Sequence, residues 1–182
     1  IYTLSLHDAL PIWCGVAVAG PNARQILSDT FGKSIDMSDE ALPFMGVREF
    51  DWNGAVARVF RISFSGELAY EVNVPWRYGE AMWDNIWAAG HKHGLIPYGT
   101  EAPSVLRIEK GHVAGNELDG RTTAADMGLG KMMSSKKEFI GNRMAAREGM
   151  TDKDRPQLVG LKLVSDNGRL RGGAHLIESN ED

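Results

Sequence analysis

The sequence lacks most of the features that mark specialised classes of protein. Among its 182 residues there is one cysteine, Cys14, which excludes an intrachain disulfide framework and a zinc site of the Cys-x-x-Cys type. The net charge is −4 and acidic and basic residues are interspersed, so neither nucleic acid nor an acidic membrane surface is indicated as a partner. No apolar run is long enough to span a bilayer and no signal-peptide pattern is visible, so we expect a cytoplasmic protein.

Histidine is also scarce and scattered. Of the five histidines only His91 and His93 lie close together, and on a helix their side chains would point to different faces. This spacing favours a solvated helix end over a metal site. With 43% hydrophobic residues the chain is large enough for one core or two small ones, and it contains no internal repeats.

What the chain does have is a regular order of strands and helices. Residues 14–20 predict a short buried strand, and Pro21 then stands where the first turn of a helix tolerates a missing N–H. One apolar face of this helix, which should end at Gly32, is marked by Ala23, Ile26, Leu27 and Phe31. Residues 44–50 predict another strand, and residues 51–54, Asp-Trp-Asn-Gly, predict a turn.

The centre of the sequence, residues 54–75, predicts a β-hairpin. In its first half, apolar residues recur at even positions, which is the period of a strand with one buried face: Val56, Phe60, Ile62 and Phe64. Ser65-Gly66 interrupts the run. A second apolar series then continues to Pro75: Leu68, Tyr70, Val72 and Val74. The opposite face of this second strand carries Glu67, Ala69, Glu71 and Asn73, so two carboxylates point the same way from a rigid sheet.

A carboxylate on such a face has two possible roles. Both of its oxygens accept hydrogen bonds in one plane, so it can bind a ring that offers adjacent N–H donors. It can also be a solvated surface acid, which is the common state of acidic residues. The residue pattern by itself favours the second interpretation.

Two helices are predicted after the hairpin. The first carries an aromatic and aliphatic stripe, which we assign to the core without a ligand role for the tryptophans. The stripe consists of Tyr78, Met82, Trp83, Ile86 and Trp87. The second helix runs from a capping Thr100 to Gly111, and we expect Arg107 and Glu109 each to tie it to a neighbouring element.

The hairpin resembles the folate-site hairpin of the aminomethyltransferase family, which includes the glycine-cleavage T-proteins and related demethylating oxidases. The resemblance rests on residues 64–67, Phe-Ser-Gly-Glu, and on Tyr70 and Glu71, which match the family's aromatic residue, Thr or Ser, Gly-Glu, and later aromatic residue and second Glu. It implies that Glu71 binds the pterin ring of tetrahydrofolate and that Phe64 and Tyr70 are further cofactor-binding residues. Phe64 replaces the family's usual Tyr, so it keeps a stacking face and loses a hydroxyl.

Downstream segments narrow the resemblance. Residues 106–111, Leu-Arg-Ile-Glu-Lys-Gly, resemble the family's Leu-Arg-Leu-Glu-Ala-Gly, and residues 109–130, 131–141 and 153–161 resemble the alpha subunits of heterotetrameric sarcosine oxidases. One departure supports that branch. Where catalytic aminomethyltransferases carry an Arg that helps hold folate, this chain has Pro103. Either folate is held by other groups, or this branch uses a different pose.

An irregular, glycine-containing loop follows the second helix. It carries four polar residues that could line a site or cap turns: Asn116, Glu117, Asp119 and Asp126. Capping is the interpretation that we favour, because short polar side chains commonly bond to the backbone of turns.

The resemblance implies an α+β fold, with an antiparallel sheet and packed helices that form the C-terminal half of a folate-binding domain over residues 13–150. Residues 151–182 are expected to begin a small C-terminal β-barrel domain. Its first strand, turn and second strand are expected at residues 157–164, 166–168 and 172–178. Residues 1–12 do not fit the family pattern and look like translated sequencing-adapter DNA, so we interpret them as a non-native leader.

The implied activity is that of the folate-binding part of a sarcosine oxidase alpha subunit, which captures the one-carbon unit from oxidative demethylation of sarcosine as 5,10-methylenetetrahydrofolate. The family's catalytic Asp is expected upstream of Trp13, and FAD or FMN and NAD are expected in other regions or subunits. No residue of this chain is therefore assigned a catalytic role, and the isolated chain is expected to be inactive. The expected partners are folate and the beta, gamma and delta subunits, with no metal, nucleic acid or membrane.

Two other functions stay open. The first is a glycine-cleavage aminomethyltransferase, an enzyme without flavin partners, which a neighbouring gene for a lipoyl carrier protein would indicate. The second is a non-catalytic folate-binding relative that acts as an assembly factor. Such proteins carry a Cys-containing signature, and none surrounds Cys14.

Overall fold

The computed structural model describes residues 12–164, 168, 170, 171, 173–175 and 177. The chain divides into two compact units, one ending at His112 and the other beginning at Val113. The described residues of the first unit form strands and helices in the order β1 Trp13–Ala19, α1 Ala23–Phe31, β2 Val47–Trp52, β3 Ala55–Phe60, β4 Ala69–Pro75, α2 Gly79–His91 and α3 Glu101–Lys110.

The four strands form one antiparallel sheet in the order β1-β4-β3-β2. Strands β3 and β4 are therefore the inner strands, and β4 joins the two halves of the sheet. In this register Glu71 on β4 lies between Ala17 on β1 and Phe60 on β3. The predicted α+β architecture, an antiparallel sheet with packed helices, is confirmed for the first unit.

Helices α1 and α2 cover one face of the sheet. The structure buries all four apolar residues that predicted α1, which confirms the helix and its inward face: Ala23, Ile26, Leu27 and Phe31. They pack with side chains that the strands direct inward, namely Val18, Phe50, Trp52, Ala57, Val59, Tyr70, Val72 and Val74. Phe31 meets Phe50 and Trp52 edge to face, with ring centroids 5.4 and 5.6 Å apart, so aromatic packing joins α1 to β2.

The turn between β2 and β3 consists of Asn53 and Gly54, which confirms the predicted turn. Both residues have positive φ angles, 55° and 77°, as in the two-residue hairpin turn whose twist matches the flanking strands. Asn and Gly enter this left-handed region at the lowest steric cost. Asp51 Oδ1 also accepts a hydrogen bond from the Gly54 N–H at 3.3 Å.

The central hairpin is present, but its first strand is shorter than predicted and faces the other way. Strand β3 ends at Phe60, and an irregular loop connects it to β4. The buried positions of β3 are the odd ones: Ala55, Ala57 and Val59. The prediction of a buried even face is wrong, because Val56 and Phe64 are each about half exposed. Small residues let the strand lie close to the aromatic core, and Arg58 in the even series requires the solvated face.

The described part of the second unit has little regular secondary structure. It contains helix α4, Asn142–Ala145, and short 3-10 turns at Gly115–Glu117 and Gly130–Met132. The strand predicted over residues 157–164 is wrong, because these exposed residues join no sheet. A strand needs a neighbouring strand for its N–H and C=O groups. Among the described residues the Leu158 N–H donates to the Asp126 carbonyl at 2.8 Å, but no strand pairs with this segment. Half of the residues of the turn and strand predicted beyond it, at 166–168 and 172–178, lie outside the described ones.

Candidate functional site

In the first unit, the sheet face opposite α1 and α2 is open. Paired residues of antiparallel strands point the same way, so the side chains on this face form rows across the strands. One row contains Ala17, Glu71 and Phe60, and the next contains Gly15, Asn73 and Arg58. Gly15 and Ala17 are exposed, so the prediction of a buried strand for β1 is correct only for its inner face.

Glu71 lies on this open face as the hairpin pattern predicted. It is exposed, and its carboxylate has no hydrogen-bond or ion-pair partner among the residues that the structure describes. It borders a concavity of about 400 Å³. The lining residues are Trp13, Arg58, Phe60, Ile62, Glu71 and Asn73. This volume lies within the range of about 300–1,000 Å³ that is usual for small-molecule sites.

Gly15 in β1 makes room for one of the side chains that line the concavity, Asn73. A Cβ atom built on Gly15 would lie 2.7 Å from Asn73 Oδ1, so glycine leaves the space that the Asn73 side chain takes.

Arg58 is held in the wall of this concavity by two interactions. Its Nε donates a hydrogen bond to Glu49 Oε1 at 2.7 Å, and its guanidinium carbon lies 4.3 Å from the centroid of the Trp13 ring. The two Nη nitrogens have no hydrogen-bond partner in the described part of the chain. The hairpin motif predicted a role for neither Arg58 nor Trp13. The available signal was the charge of Arg58 within the even apolar series.

Phe64 lies in the loop between β3 and β4 and does not line the concavity. Its carbonyl oxygen is 2.9 Å from His112 Nδ1, and a Cβ atom on Gly66 would lie 2.4 Å from Lys110 Cδ. The end of α3 therefore holds this loop in place. Phe64 is 51% exposed and could contact a ligand, but the structure does not bring it together with Glu71.

Tyr70, the third predicted cofactor-binding residue, belongs to the core. It is completely buried and points away from the face that carries Glu71, so the structure does not bring these two residues together. Burial raises the pKa of its hydroxyl, and the nearby Arg24 and Arg61 oppose that effect. Among the described residues its Oη atom has no hydrogen-bond partner.

A larger groove of about 620 Å³ runs along β1, α2 and the segment before α3. Trp83 and Trp87 line it, and the prediction that they belong to the core is wrong. They are 46% and 38% exposed and stack on each other with centroids 6.3 Å apart. Met82 and Ile86 already fill the side of α2 that meets the sheet, so the neighbouring tryptophans lie at its margin.

The polar side chains that line this groove include Asn22, His93, Tyr98 and Thr100, and the first two bond within the chain. The Asn22 side chain donates to the His93 carbonyl at 3.2 Å, and His93 Nε2 is 2.8 Å from Asp29 Oδ2. Hydrogen bonds from His93 and then Lys92 hold the pKa of Asp29 well below its usual range. Pro103, which stands in place of the family's folate-binding Arg, also lines this groove and not the Glu71 concavity.

The polar loop residues of the second unit cap turns, as predicted. Glu117, Asp119 and Asp126 each accept a hydrogen bond from a backbone N–H within three residues, at 2.6, 2.8 and 2.8 Å. Asp126 is buried and also accepts from Arg155 Nε at 3.0 Å. The bond from Arg155 is the main reason that the pKa of Asp126 is far below its usual range. The Asn116 side chain lies outside the described part.

Two further findings concern only the described ranges. They contain no group of three or more His, Cys, Asp or Glu side chains that could hold a metal ion. They also contain no helix that is long and apolar enough to cross a membrane. The concavity beside Glu71 therefore stays the candidate site of the first unit.

A comparison of the sequence assigns the unit that carries this sheet, its covering helices and the open face to a known domain family. Residues 4–137 match the model of the GCVT N-terminal domain, and the chain belongs to this family. The resemblance to the aminomethyltransferase family, which the hairpin motif indicated, is therefore confirmed.

Individual relatives narrow the similarity. The chain is 48% identical over 168 residues to sarcosine oxidase subunit alpha of Rhizobium meliloti (strain 1021), which covers 91% of this chain and 17% of the relative. It is 33% identical over 153 residues to an aminomethyltransferase of Halothermothrix orenii, covering 81% of this chain and 41% of the relative. It is 31% identical over 169 residues to mitochondrial dimethylglycine dehydrogenase of Mus musculus, covering 91% and 19%. The chain thus spans less than half of each of these relatives.

Proposed function

We propose that this chain is the folate-binding portion of a sarcosine oxidase alpha subunit. The observation that carries the proposal is the Glu71 carboxylate, which has no partner among the described residues and which an inner strand presents to a concavity of about 400 Å³. The identity of 48% to a sarcosine oxidase alpha subunit supports this branch of the family. Pro103, in place of the Arg of stand-alone transferases, supports it further.

The residues of the concavity fit tetrahydrofolate by their chemistry. The pyrimidine edge of the pteridine presents adjacent N–H groups, and the two oxygens of Glu71 can accept both in one plane. Trp13, Phe60 and Ile62 supply apolar walls for the ring. Tetrahydrofolate bound there would take the one-carbon unit left by oxidation of sarcosine, as 5,10-methylenetetrahydrofolate, with glycine released.

In this proposal the chain binds and orients, and it performs no proton or hydride transfer. Glu71 fixes the orientation of the ring, and the aromatic walls exclude water from one side of it. Phe64, in the loop held by α3, contacts the ligand beyond the concavity. The oxidation step, with O2 reduced to H2O2, takes place on a flavin in another subunit.

The proposal extends to the rest of the protein. Residues 13–150 form the second half of the folate domain, and residues 151–182 begin a small barrel domain. Val159 and Leu161, exposed by 69% and 58% and outside any described sheet, would be covered by the rest of that domain. The cytoplasmic complex would contain beta, gamma and delta subunits, with FAD or FMN and NAD bound outside this chain.

Replacement of Glu71 tests the proposal. Glu71→Gln should weaken the binding of tetrahydrofolate about tenfold or more, because a hydrogen bond to a charged group contributes about 1.5–3 kcal/mol. Anaerobic calorimetric titration of the 182-residue chain measures the affinity. Glu40→Gln is the matched control, since Glu40 is an exposed acid in a loop outside the concavity.

In the complete oxidase the same substitution should leave peroxide production from sarcosine unchanged. Unchanged folate affinity of the Glu71→Gln chain would count against the assignment.

Glycine cleavage is the second candidate function, favoured by the 33% identity to an aminomethyltransferase. The neighbouring genes distinguish the two functions. A gene for a lipoyl carrier protein would indicate glycine cleavage, and genes for the beta, gamma and delta subunits would indicate the oxidase.

A further inference from the structure

We infer that Arg58 is a specificity-determining residue of the same site and selects for the 4-oxo group of the pteridine ring. This inference rests on the proposed folate-binding function. To the site that contains Glu71, the inference adds a hydrogen-bond donor, Arg58, which recognises the oxygen on the ring next to the N–H groups that Glu71 binds. The family motif does not assign this role to the Arg58 position.

The register places Arg58 one row away from Glu71. Phe60 lies opposite Glu71 and Arg58 lies opposite Asn73, so Arg58 and Glu71 form a diagonal pair across two adjacent strands. Diagonal neighbours on one sheet face are separated by about 7–8 Å, within reach of a long side chain. Both residues line the same concavity. One ring of moderate size could therefore contact both.

Arg58 is fixed in orientation while part of it stays available. The Arg58 Nε–H donates to Glu49 Oε1 at 2.7 Å, and the guanidinium carbon lies 4.3 Å from the centroid of the Trp13 ring. This leaves the two Nη nitrogens without a partner among the described residues. A planar guanidinium held at one edge presents its remaining N–H groups in a fixed direction, which a lysine ammonium cannot do.

The two side chains are complementary to one edge of the ring. The pyrimidine half of a folate presents a carbonyl oxygen, a ring N–H and an amino group in sequence. Glu71 accepts from the two nitrogen donors, and Arg58 donates to the oxygen, as arginine donates to the equivalent carbonyl of guanine. At position 103 this chain has Pro where the family has an Arg that helps hold folate. Among the described residues that line the concavity, Arg58 is the one with a positive charge.

A pair of ligands that differ in the substituent at position 4 tests the inference. The 4-amino ring also lacks the N3 proton, so Glu71 contributes to the preference as well as Arg58. Tetrahydrofolate and its 4-amino analogue are titrated anaerobically into the 182-residue chain and into Arg58→Gln. The unaltered chain should prefer the 4-oxo ligand, because an amino group would meet the Arg58 donors with donors of its own. Arg58→Gln should weaken tetrahydrofolate about tenfold or more and lower the preference by a similar factor, leaving the part that Glu71 contributes through the N3–H.

Two further variants separate recognition from net charge and from folding. Arg58→Lys keeps the charge, and it should restore only part of the preference for the 4-oxo ligand. Arg48→Gln removes an exposed arginine of β2 that does not line the concavity, and it should change neither affinity. Because the readout is a ratio of two affinities in one protein sample, a partly unfolded preparation does not imitate the result.

The outcomes distinguish this inference from the proposed function. If Glu71→Gln weakens both ligands while Arg58→Gln leaves their ratio unchanged, the role of Arg58 is refuted and the folate site stands. An equal loss of both ligands in Arg58→Gln also refutes it. If neither ligand binds the unaltered chain saturably, both the proposed function and this inference are overturned.

Discussion

The hydroxyl of Tyr70 is a polar group in the apolar core, where the described residues provide no hydrogen-bond partner for it. The side chain is fully buried between the sheet and α1, and its Oη atom has no partner among the described residues. A buried polar group without a hydrogen bond costs free energy, about 1–3 kcal/mol in mutational data. Arg24 and Arg61 lie close enough to affect its pKa, but their hydrogen bonds go to Asp39 and to backbone carbonyls.

Tyr70→Phe should therefore raise the free energy of unfolding by about 1 kcal/mol at pH 7. Burial raises the pKa of Tyr70 in the folded chain above its unfolded value near 10. Its neutral form is thus favoured by folding, and this contribution is present below the unfolded pKa and is lost as the pH rises through the folded pKa. Urea unfolding at pH 7 and pH 10.5 measures both effects. A variant less stable than the unaltered chain at pH 7 would show that the hydroxyl is bonded.

Individual site residues differ in how far they could be predicted. Glu71 was predictable as outward-facing, because its neighbours Tyr70 and Val72 are large and apolar and both are buried. Arg58 was not predicted, since its role depends on the register between β3 and β4 and on contacts with Glu49 and Trp13. Sequence spacing does not encode such contacts across strands.

At the scale of elements, the β2–β3 turn sets the register on which the candidate site depends. Asn53 and Gly54 both adopt positive φ, and a two-residue turn fixes which residues of β2 and β3 face each other. That pairing brings Glu49 opposite Arg58. The salt bridge that holds Arg58 at the concavity is therefore a consequence of the turn.

Gly54→Ala should lower the free energy of unfolding by about 1–2 kcal/mol, because a Cβ atom clashes with the following carbonyl in the left-handed region. Urea unfolding followed by circular dichroism measures the change. Gly99→Ala is the matched control: Gly99 has open space around it and no left-handed φ. It should change stability by less than about 0.5 kcal/mol. Equal losses in the two variants would contradict the role of the turn.

Elements were predicted well where size and periodicity agreed and poorly where they did not. Helix α1 has one narrow apolar face, and all four predicted residues are buried. In β3 both faces are apolar, so the larger residues suggested the wrong inward face, although Ala57 and Val59 are the buried ones. In α2 the apolar arc is wider than the surface that the sheet offers, so Trp83 and Trp87 stay at the edge.

At the scale of the whole chain, the candidate site belongs to a single unit. The residues that line the concavity come from β1, β4, β3 and the loop after β3, all before His112. The second unit has its own internal bonds, centred on buried Asp126 and its partner Arg155. Family membership was predictable from the hairpin motif, whereas the strand over residues 157–164 was not correctly predicted, because a strand requires a neighbour that local sequence does not specify.

Folate binding should therefore protect the first unit and leave the second unchanged. At a ligand concentration of 100 times Kd, binding to the native state stabilises by about 2.7 kcal/mol. Hydrogen exchange with mass spectrometry, with and without tetrahydrofolate, should show slower exchange in peptides from β1, β3 and β4. Peptides after Val113 should exchange at the same rate in both samples, because no lining residue lies there. Equal protection in peptides around Asp126 would mean that folate binding stabilises the chain as one cooperative body, and a site confined to the open sheet face would then be insufficient.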